Sequence, residues 1–466
     1  MKKTLIAVAA AAALATTSAF AEITFGAWLR TIATPVASNG EDIVTALTNS
    51  WGYGARTARL NVTAVSEDGK AGFNMGIYND AFDGLGDGDS TSMWVKPIDM
   101  LKISFGKFDS SDDGLRGDFT YGSWAWLRPF NWLYNGEGLT FSGVQNTGAL
   151  VELDPIEGLH VAVNIPFTSK TYEKDLVTGE VAISEFEDTY RGAQVALGYN
   201  IDGIGTIKVQ WIGKNSSSSS WGYKKKWDGV TDLAKMTTEQ KYYGDVEAAF
   251  DLKAVENLYV TLGGRFSVME SNYHAEEWTT HYKLDSYGYN SVDTKRDWAW
   301  VTCAELAELA KVALGVSYNI MDGFTVFADG AVAFYNDIEI LNTTIKEDPR
   351  FSFGIGISYA IPGVDGLSLD ADFRYLSKAK YKYGGDVEDL DTVIGWIKDA
   401  DDTASFPSDA NASISFLIGL NKTVGSNGLI GIGFQGGNKI EGFSNEAIKA
   451  RDDFIWAVPV KLQVSF

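Results

Sequence analysis

The sequence predicts an all-β fold, a single transmembrane antiparallel β-barrel of about 18 strands with short turns at one end and long loops at the other. Three observations predict it. The stretch Phe454 to Phe466 (FIWAVPVKLQVSF) puts Phe454, Trp456, Val458, Val460, Leu462, Val464 and Phe466 in step, with Lys461, Gln463 and Ser465 between them. Side chains alternate faces along a strand, so one face of this one is wholly apolar. After the first 21 residues no uninterrupted apolar run of about 18 occurs, which leaves no transmembrane helix and makes a closed barrel the one way to cross a bilayer. Short reversals and long polar connections also alternate along the chain, as they do when strands run up and down a wall.

The N-terminus reads as a secretory leader. Lys2 and Lys3 form its basic start, Leu5 to Leu14 its apolar run, and Ala19-Phe20-Ala21 its cleavage site. Residues 22–466 are then expected to form one barrel domain. The only cysteine, Cys303, excludes an intrachain disulfide. A net charge of −22 excludes the basic surface that a nucleic-acid partner requires. The aromatic share of 13% and the 49 glycines suit alternating strands with aromatic girdles.

In chain order, a first strand is expected over Ile23 to Ala33. Arg56 to Ala64 then points Ala58, Leu60 and Val62 one way and Arg59, Asn61 and Thr63 the other. After the turn Ser66-Glu67-Asp68-Gly69, the partner strand shows Ala71, Phe73, Met75 and Ile77 on its apolar side. The same hairpin recurs at Pro97 to Met100, Asp154 to Gly158, Asp202 to Gly205, Val255 to Leu258, Met321 to Gly323, Pro362 to Gly366 and Thr423 to Gly428. Eight hairpins with a first and a last strand make eighteen; sixteen is the alternative if Ser92 to Phe108 or Gly148 to Phe167 is not a hairpin. Pro459 has no N–H to give a ladder, so a bulge is expected beside it. The run Ala304 to Ala310 (AELAELA) suits one or two helical turns. The long connections, among them 109–147, 215–243 and 271–304, are expected on the extracellular side as loops.

A lipid-facing Arg or Lys near the bilayer midplane costs about 2 to 4 kcal/mol, so charged mid-strand residues should face inward. Parity agrees: Lys208, Arg265, Asp370, Asp372 and Arg374 all oppose apolar sets such as Ile207 and Val209, or Leu262 and Phe266. A charged lumen ringed by about eighteen strands is too wide for its own side chains to fill, and is expected to be a channel.

This order of strands and loops resembles the Gram-negative outer-membrane porins. Gly69-Lys70-Ala71-Gly72-Phe73 looks like the family's second-hairpin start, and Leu101 to Phe108 (LKISFGKF) like its fifth strand. The final Phe466 is similar to the terminal aromatic by which assembly machinery recognises such barrels. The resemblance implies passive diffusion of small hydrophilic solutes, outer-membrane lipid around the wall, and a homotrimer. It also implies that the third loop, Asp109 to Thr147, narrows the pore, with Asp112, Asp113 and Asp118 facing Arg56 and Arg59. The family's acidic-glycine tip motif is absent from this loop.

Two other readings of the barrel stand beside this one. Trp124, Trp126, Phe130, Trp132 and Tyr134 in the same loop are candidates for stacking against sugar rings, as in maltoporin-type channels, or for anchoring the loop. A surface-display or adhesin barrel would share the wall and plug the hole. Acidic runs at Asp83 to Asp89, Asp386 to Asp391 and Asp399 to Asp402 supply hard oxygen ligands of the type Ca²⁺ takes. No other metal or cofactor site is expected. The three histidines, His160, His274 and His281, occur without a nucleophile elbow or metal-ligand spacing, so no enzyme activity is expected.

Overall fold

The computed structural model describes residues 21–38, 40–46, 56–80, 90–108, 146–166, 173–174, 181–182, 192–213, 217–227, 230–274, 279–284, 290–293, 308–340, 343–378, 380–384, 412–438 and 454–466. The leader lies outside them up to Phe20, as does most of 109–147.

The wall begins with β1 (Ala21–Ser38), β2 (Arg56–Ser66), β3 (Ala71–Asp80), β4 (Ser90–Ile98), β5 (Leu101–Phe108) and β6 (Asn146–Ile156). It continues with β7 (Leu159–Pro166), β8 (Gln194–Ile201), β9 (Gly205–Gly213), β10 (Val230–Leu252), β11 (Leu258–His274) and β12 (Glu308–Met321). It finishes with β13 (Phe324–Tyr335), β14 (Arg350–Ala360), β15 (Leu367–Leu376), β16 (Ser413–Val424), β17 (Gly428–Gly437) and β18 (Ile455–Ser465). Each strand pairs antiparallel with the next, and β18 returns to β1 from Trp28↔Ser465 to Ser38↔Trp456. The result is a closed 18-strand barrel with no free edge.

All eight predicted turns close hairpins. Of the three two-residue turns, Asp99-Met100, Glu157-Gly158 and Asp322-Gly323, the last two place glycine at φ 82° and 77°, where a side chain is disfavoured; a Cβ at Gly158 would also stand 2.6 Å from the Asn200 carbonyl oxygen. The expected irregularity at Pro459 is present. In the seam the register runs Ala33↔Val460 and then Val36↔Val458, so β1 carries an extra residue opposite the proline.

Two expectations are corrected. The long connections 215–243 and 271–304 are not simply loops: Ser217–Trp227 pairs with the first half of β10 from Ser217↔Gln240 to Trp227↔Val230, and Thr279–Leu284 pairs with the start of β10 from Ala234↔Thr279 to Val230↔Lys283 and with Asn290–Asp293. The second half of β10 pairs with β9, and the register shifts between Tyr242 and Gly244 where one role gives way to the other. The AELAELA run is not helical at its end: Glu308, Leu309 and Ala310 already belong to β12, where the ladder to β13 outweighs a short helical propensity.

The two faces of the wall are inverted relative to a soluble protein. Outward residues such as Leu262, Phe266, Val312, Ile355 and Ile432 are about half exposed, whereas Asp251, Thr261, Arg374, Gln435 and Lys461 are buried on the inward side. Burying charge on one side while leaving hydrocarbon exposed on the other is stable only where the outer solvent is lipid, so the chain is a multi-pass membrane barrel of the outer-membrane type. No helix of the described residues is long and apolar enough to cross a membrane.

Aromatic residues mark this outward face unevenly. Tyr199, Trp211, Phe250, Phe266, Tyr318, Phe324, Phe351, Phe373, Phe416, Phe434 and Trp456 supply one outward ring to each of β8 to β18 in turn. Ring pairs join neighbouring strands, with centroids 5.8 Å apart for Phe351–Tyr375, 5.9 Å for Phe416–Phe434 and 6.0 Å for Phe434–Trp456. Such rings belong at the headgroup level of a bilayer.

Candidate functional site

The inward face of β9 to β18 forms a polar belt held together by pairs that cross strands. Lys208 Nζ on β9 lies 2.8 Å from Asp251 Oδ2 on β10, both side chains being almost completely buried. The other oxygen of Asp251 accepts a hydrogen bond from the Thr261 hydroxyl on β11 at 2.7 Å. Gln210 donates to Glu247, and Ser267 donates to Asp245 at 2.7 Å. Arg265 sits in register between Glu247 on one side and Lys311 on the other.

On the next part of the wall Arg374 spans a whole strand. Its Nη1 lies 2.6 Å from each carboxylate oxygen of Asp329 on β13, two strands from its own, and its Nε lies 3.2 Å from Asp372 Oδ1. Gly354 on the intervening β14 makes this reach available. A Cβ there would stand 2.4 Å from Nη1 and 2.5 Å from Cζ, so the guanidinium lies flat in the place a side chain would take. Asp370 accepts a 2.7 Å hydrogen bond from the Asn421 amide on β16. Each buried charge in these pairs is thus met by a partner from another strand, which is what keeps burial from being prohibitive.

Lys208, Arg265, Asp370, Asp372 and Arg374 all occupy the inward face that parity predicts. Arg59 is inward and half-buried, paired in register with Trp28. Arg56 opens β2 opposite Asp80, beside a register shift. Asp112, Asp113 and Asp118, the aromatic group Trp124, Trp126, Phe130, Trp132 and Tyr134, and the acidic runs at 83–89, 386–391 and 399–402 lie outside the described residues. Phe466 is exposed, and its backbone exchanges both hydrogen bonds with Ala27 on β1.

Sequence reasoning missed several members of the belt. Asp329, Asp251 and Glu152 were not singled out, although parity along β13, β10 and β6 would have turned each inward. Glu152 meets Lys102 at 2.7 Å, and the ammoniums of Lys96 and Lys102 stand 5.7 and 5.9 Å from the centre of the inward Trp94 ring. At the turn end His160 Nδ1 lies 2.7 Å from Asp154 Oδ1. The inner wall is also less uniformly polar than expected. Phe108, Leu150, Ala162 and Ala196 cluster on the inward face of β5 to β8, among polar inward neighbours such as Ser104, Glu152, Asn164 and Gln194.

No protein-family model and no curated protein matches the chain by sequence. Solved structures do resemble it. An anion-selective porin from Comamonas acidovorans is 10% identical over 96% of this chain and 100% of that one, with a TM-score of 0.42. The outer membrane channel DcaP of Acinetobacter baumannii is 13% identical over 97% and 99%, with a TM-score of 0.40. A trimer form of OmpT, an outer membrane protein of Vibrio cholerae, is 13% identical over 96% and 100%, with a TM-score of 0.41. These neighbours are outer-membrane proteins, porins and channels among them, and the likeness is one of barrel architecture alone.

Proposed function

We propose that the protein is an outer-membrane porin, a water-filled channel for passive diffusion of small hydrophilic solutes and ions. The observation that carries this reading is the belt of charged side chains on the inward face of a closed wall whose outward face is apolar. With strands about 4.8 Å apart and tilted some 40°, a round cylinder of eighteen has a backbone-to-backbone diameter of roughly 35 Å, more than two layers of side chains fill. Arg59, Lys208, Arg265, Asp370, Asp372 and Arg374 are the lining in this reading, and Arg56 stands at its rim.

A modest preference for cations goes with it. Most charges of the belt neutralise one another, so the net field comes from the ends of the barrel. Seven of the eight turns carry an exposed carboxylate: Asp68, Asp99, Asp154, Asp202, Glu256, Asp322 and Asp365. A ring of like charge at a mouth concentrates counter-ions. Three copies of the chain, delivered by the outer-membrane assembly machinery, make up the particle in this reading.

Planar-bilayer recording tests it. The folded protein is expected to give steady ohmic current and, in a salt gradient, a reversal potential of the cation-preferring sign. A folded preparation that never conducts ends the channel reading, and a reversal potential of the opposite sign ends the cation preference.

A further inference from the structure

On the inner wall near the short turns, the Trp94 ring rises above small neighbours. In register with it on the same face are Gly72 on β3 and Ser104 on β5, and the next inward residue of its own strand is Ser92. None of these reaches as far into the lumen as an indole. A Cβ at Gly72 would stand 2.6 Å from Trp94 Cζ2 and 2.7 Å from Cε2, so the ring extends over the bare glycine. Trp94 is only half-buried there, and its free flank faces the water of the lumen.

A cation is held beside this ring. Along β4 the register runs Val95↔Ile103 and then Ile98↔Leu101, so Lys96 and Pro97 share a bulge, an irregularity that re-aims a side chain. The Lys96 N–H donates to the Lys70 carbonyl at 2.7 Å, and its ammonium stands 5.7 Å from the centre of the Trp94 ring. Lys102, 5.9 Å from the same ring, is already paired with Glu152. Lys96 differs: among the described residues no carboxylate pairs with its ammonium. A ring face attracts a cation without neutralising it, so this charge stays available to an anion.

We infer that Trp94 and Lys96 form a subsite for small aromatic carboxylates, which, resting on the channel reading above, names one solute class for it. The flat ring lies against the indole and the carboxylate accepts from the Lys96 ammonium. The two contacts differ in kind, since stacking needs a ring and a charge-assisted hydrogen bond needs an acceptor oxygen. Carboxylates on seven of the eight turns repel anions from this mouth. An acid without a ring therefore gains little there, whereas one that fits both groups is retained.

Benzoate is the probe, with acetate and benzamide as solutes that each carry one of the two features. Line broadening of the solute protons is measured with the folded protein in lipid nanodiscs and with empty nanodiscs, heat-modifiable gel mobility confirming the barrel. Benzoate is expected to broaden roughly threefold more than either control. Lys96→Gln and Trp94→Leu should each reduce that broadening roughly fivefold, while Lys96→Arg and Trp94→Phe should keep it within about twofold. Equal broadening of benzoate and acetate, or benzoate broadening unchanged by Lys96→Gln or by Trp94→Leu, would overturn the subsite. Planar-bilayer current through the same preparations separates the two readings: a barrel that conducts and does not hold benzoate loses the subsite alone.

Discussion

Replacing Gly354 by alanine tests whether the belt is built as described. The new Cβ would stand 2.4 Å from Arg374 Nη1, 2.5 Å from Cζ and 2.7 Å from Nε, about 1 Å inside ordinary contact. The colliding atoms are the far end of a flexible side chain, so the guanidinium lifts off the wall and the backbone stays. Lifting by about 1 Å takes Nη1 from 2.6 Å to beyond hydrogen-bond range of both Asp329 oxygens. Hydrogen bonds to charged groups contribute about 1.5 to 3 kcal/mol each, and Asp329 keeps its burial, so a loss of about 3 kcal/mol is expected, roughly a hundredfold in the unfolding constant. Urea unfolding in lipid vesicles, followed by tryptophan fluorescence, measures it. Gly330→Ala is the control, since its Cβ would make only ordinary contacts, 3.4 Å from the Ser352 carbonyl oxygen and 4.0 Å from the Phe353 Cβ. In Gly354→Ala the net charge is unchanged, but the displaced guanidinium stands farther into the lumen than Asp329, so the reversal potential should move toward anions. A Gly354→Ala cost below about 0.5 kcal/mol, or an equal cost in an Asp329→Asn, Arg374→Met background, would refute the reasoning.

Further outcomes follow from other parts of the wall. Lys208→Ala leaves the Asp251 carboxylate with only its Thr261 hydroxyl partner and should cost about 3 kcal/mol in the same assay, while Lys208→Met with Asp251→Asn should cost much less. Asp68, in the first turn, is held below its ordinary pKa of 3.8 by the Ser66 hydroxyl and then by the Lys70 N–H. Because the folded value is the lower one, the turn's contribution is complete at neutral pH and is lost only as pH falls below about 4 through that depressed value; carboxyl NMR of Asp68 checks the direction, and a midpoint above 3.8 contradicts it. Intact mass of protein taken from the outer membrane should correspond to a chain beginning at Glu22, and retention of Lys2 and Lys3 would rule out the leader.

Much of the architecture was legible because a barrel writes itself in short-range pattern. A hairpin needs a reversal and two alternating flanks, and both are local, so the eight turns and the count of eighteen could be read without knowing which strand meets which. Parity likewise settled the inward direction of Lys208 and Arg374. Their partners were not legible, because Asp251 and Asp329 are paired by register across strands, and Arg374 reaches past its neighbour only where Gly354 has no side chain. Pro459 was informative for the opposite reason: its missing N–H disturbs a ladder whatever the partner. The Ser217–Trp227 strand was hidden by its polarity, since a hairpin standing clear of the lipid has no apolar face to alternate. The residues expected to narrow the pore lie outside the described part of the chain.

That same hairpin gives the barrel an uneven skyline. β10 has 23 residues, and at about 3.3 Å per residue and a tilt of some 40° it rises roughly 58 Å, about twice the height of the oily layer it crosses. Its upper half and the Ser217–Trp227 strand therefore form a mast on one side of the rim. Whatever approaches that end of the barrel from the same side meets the mast before it reaches the rim of the wall.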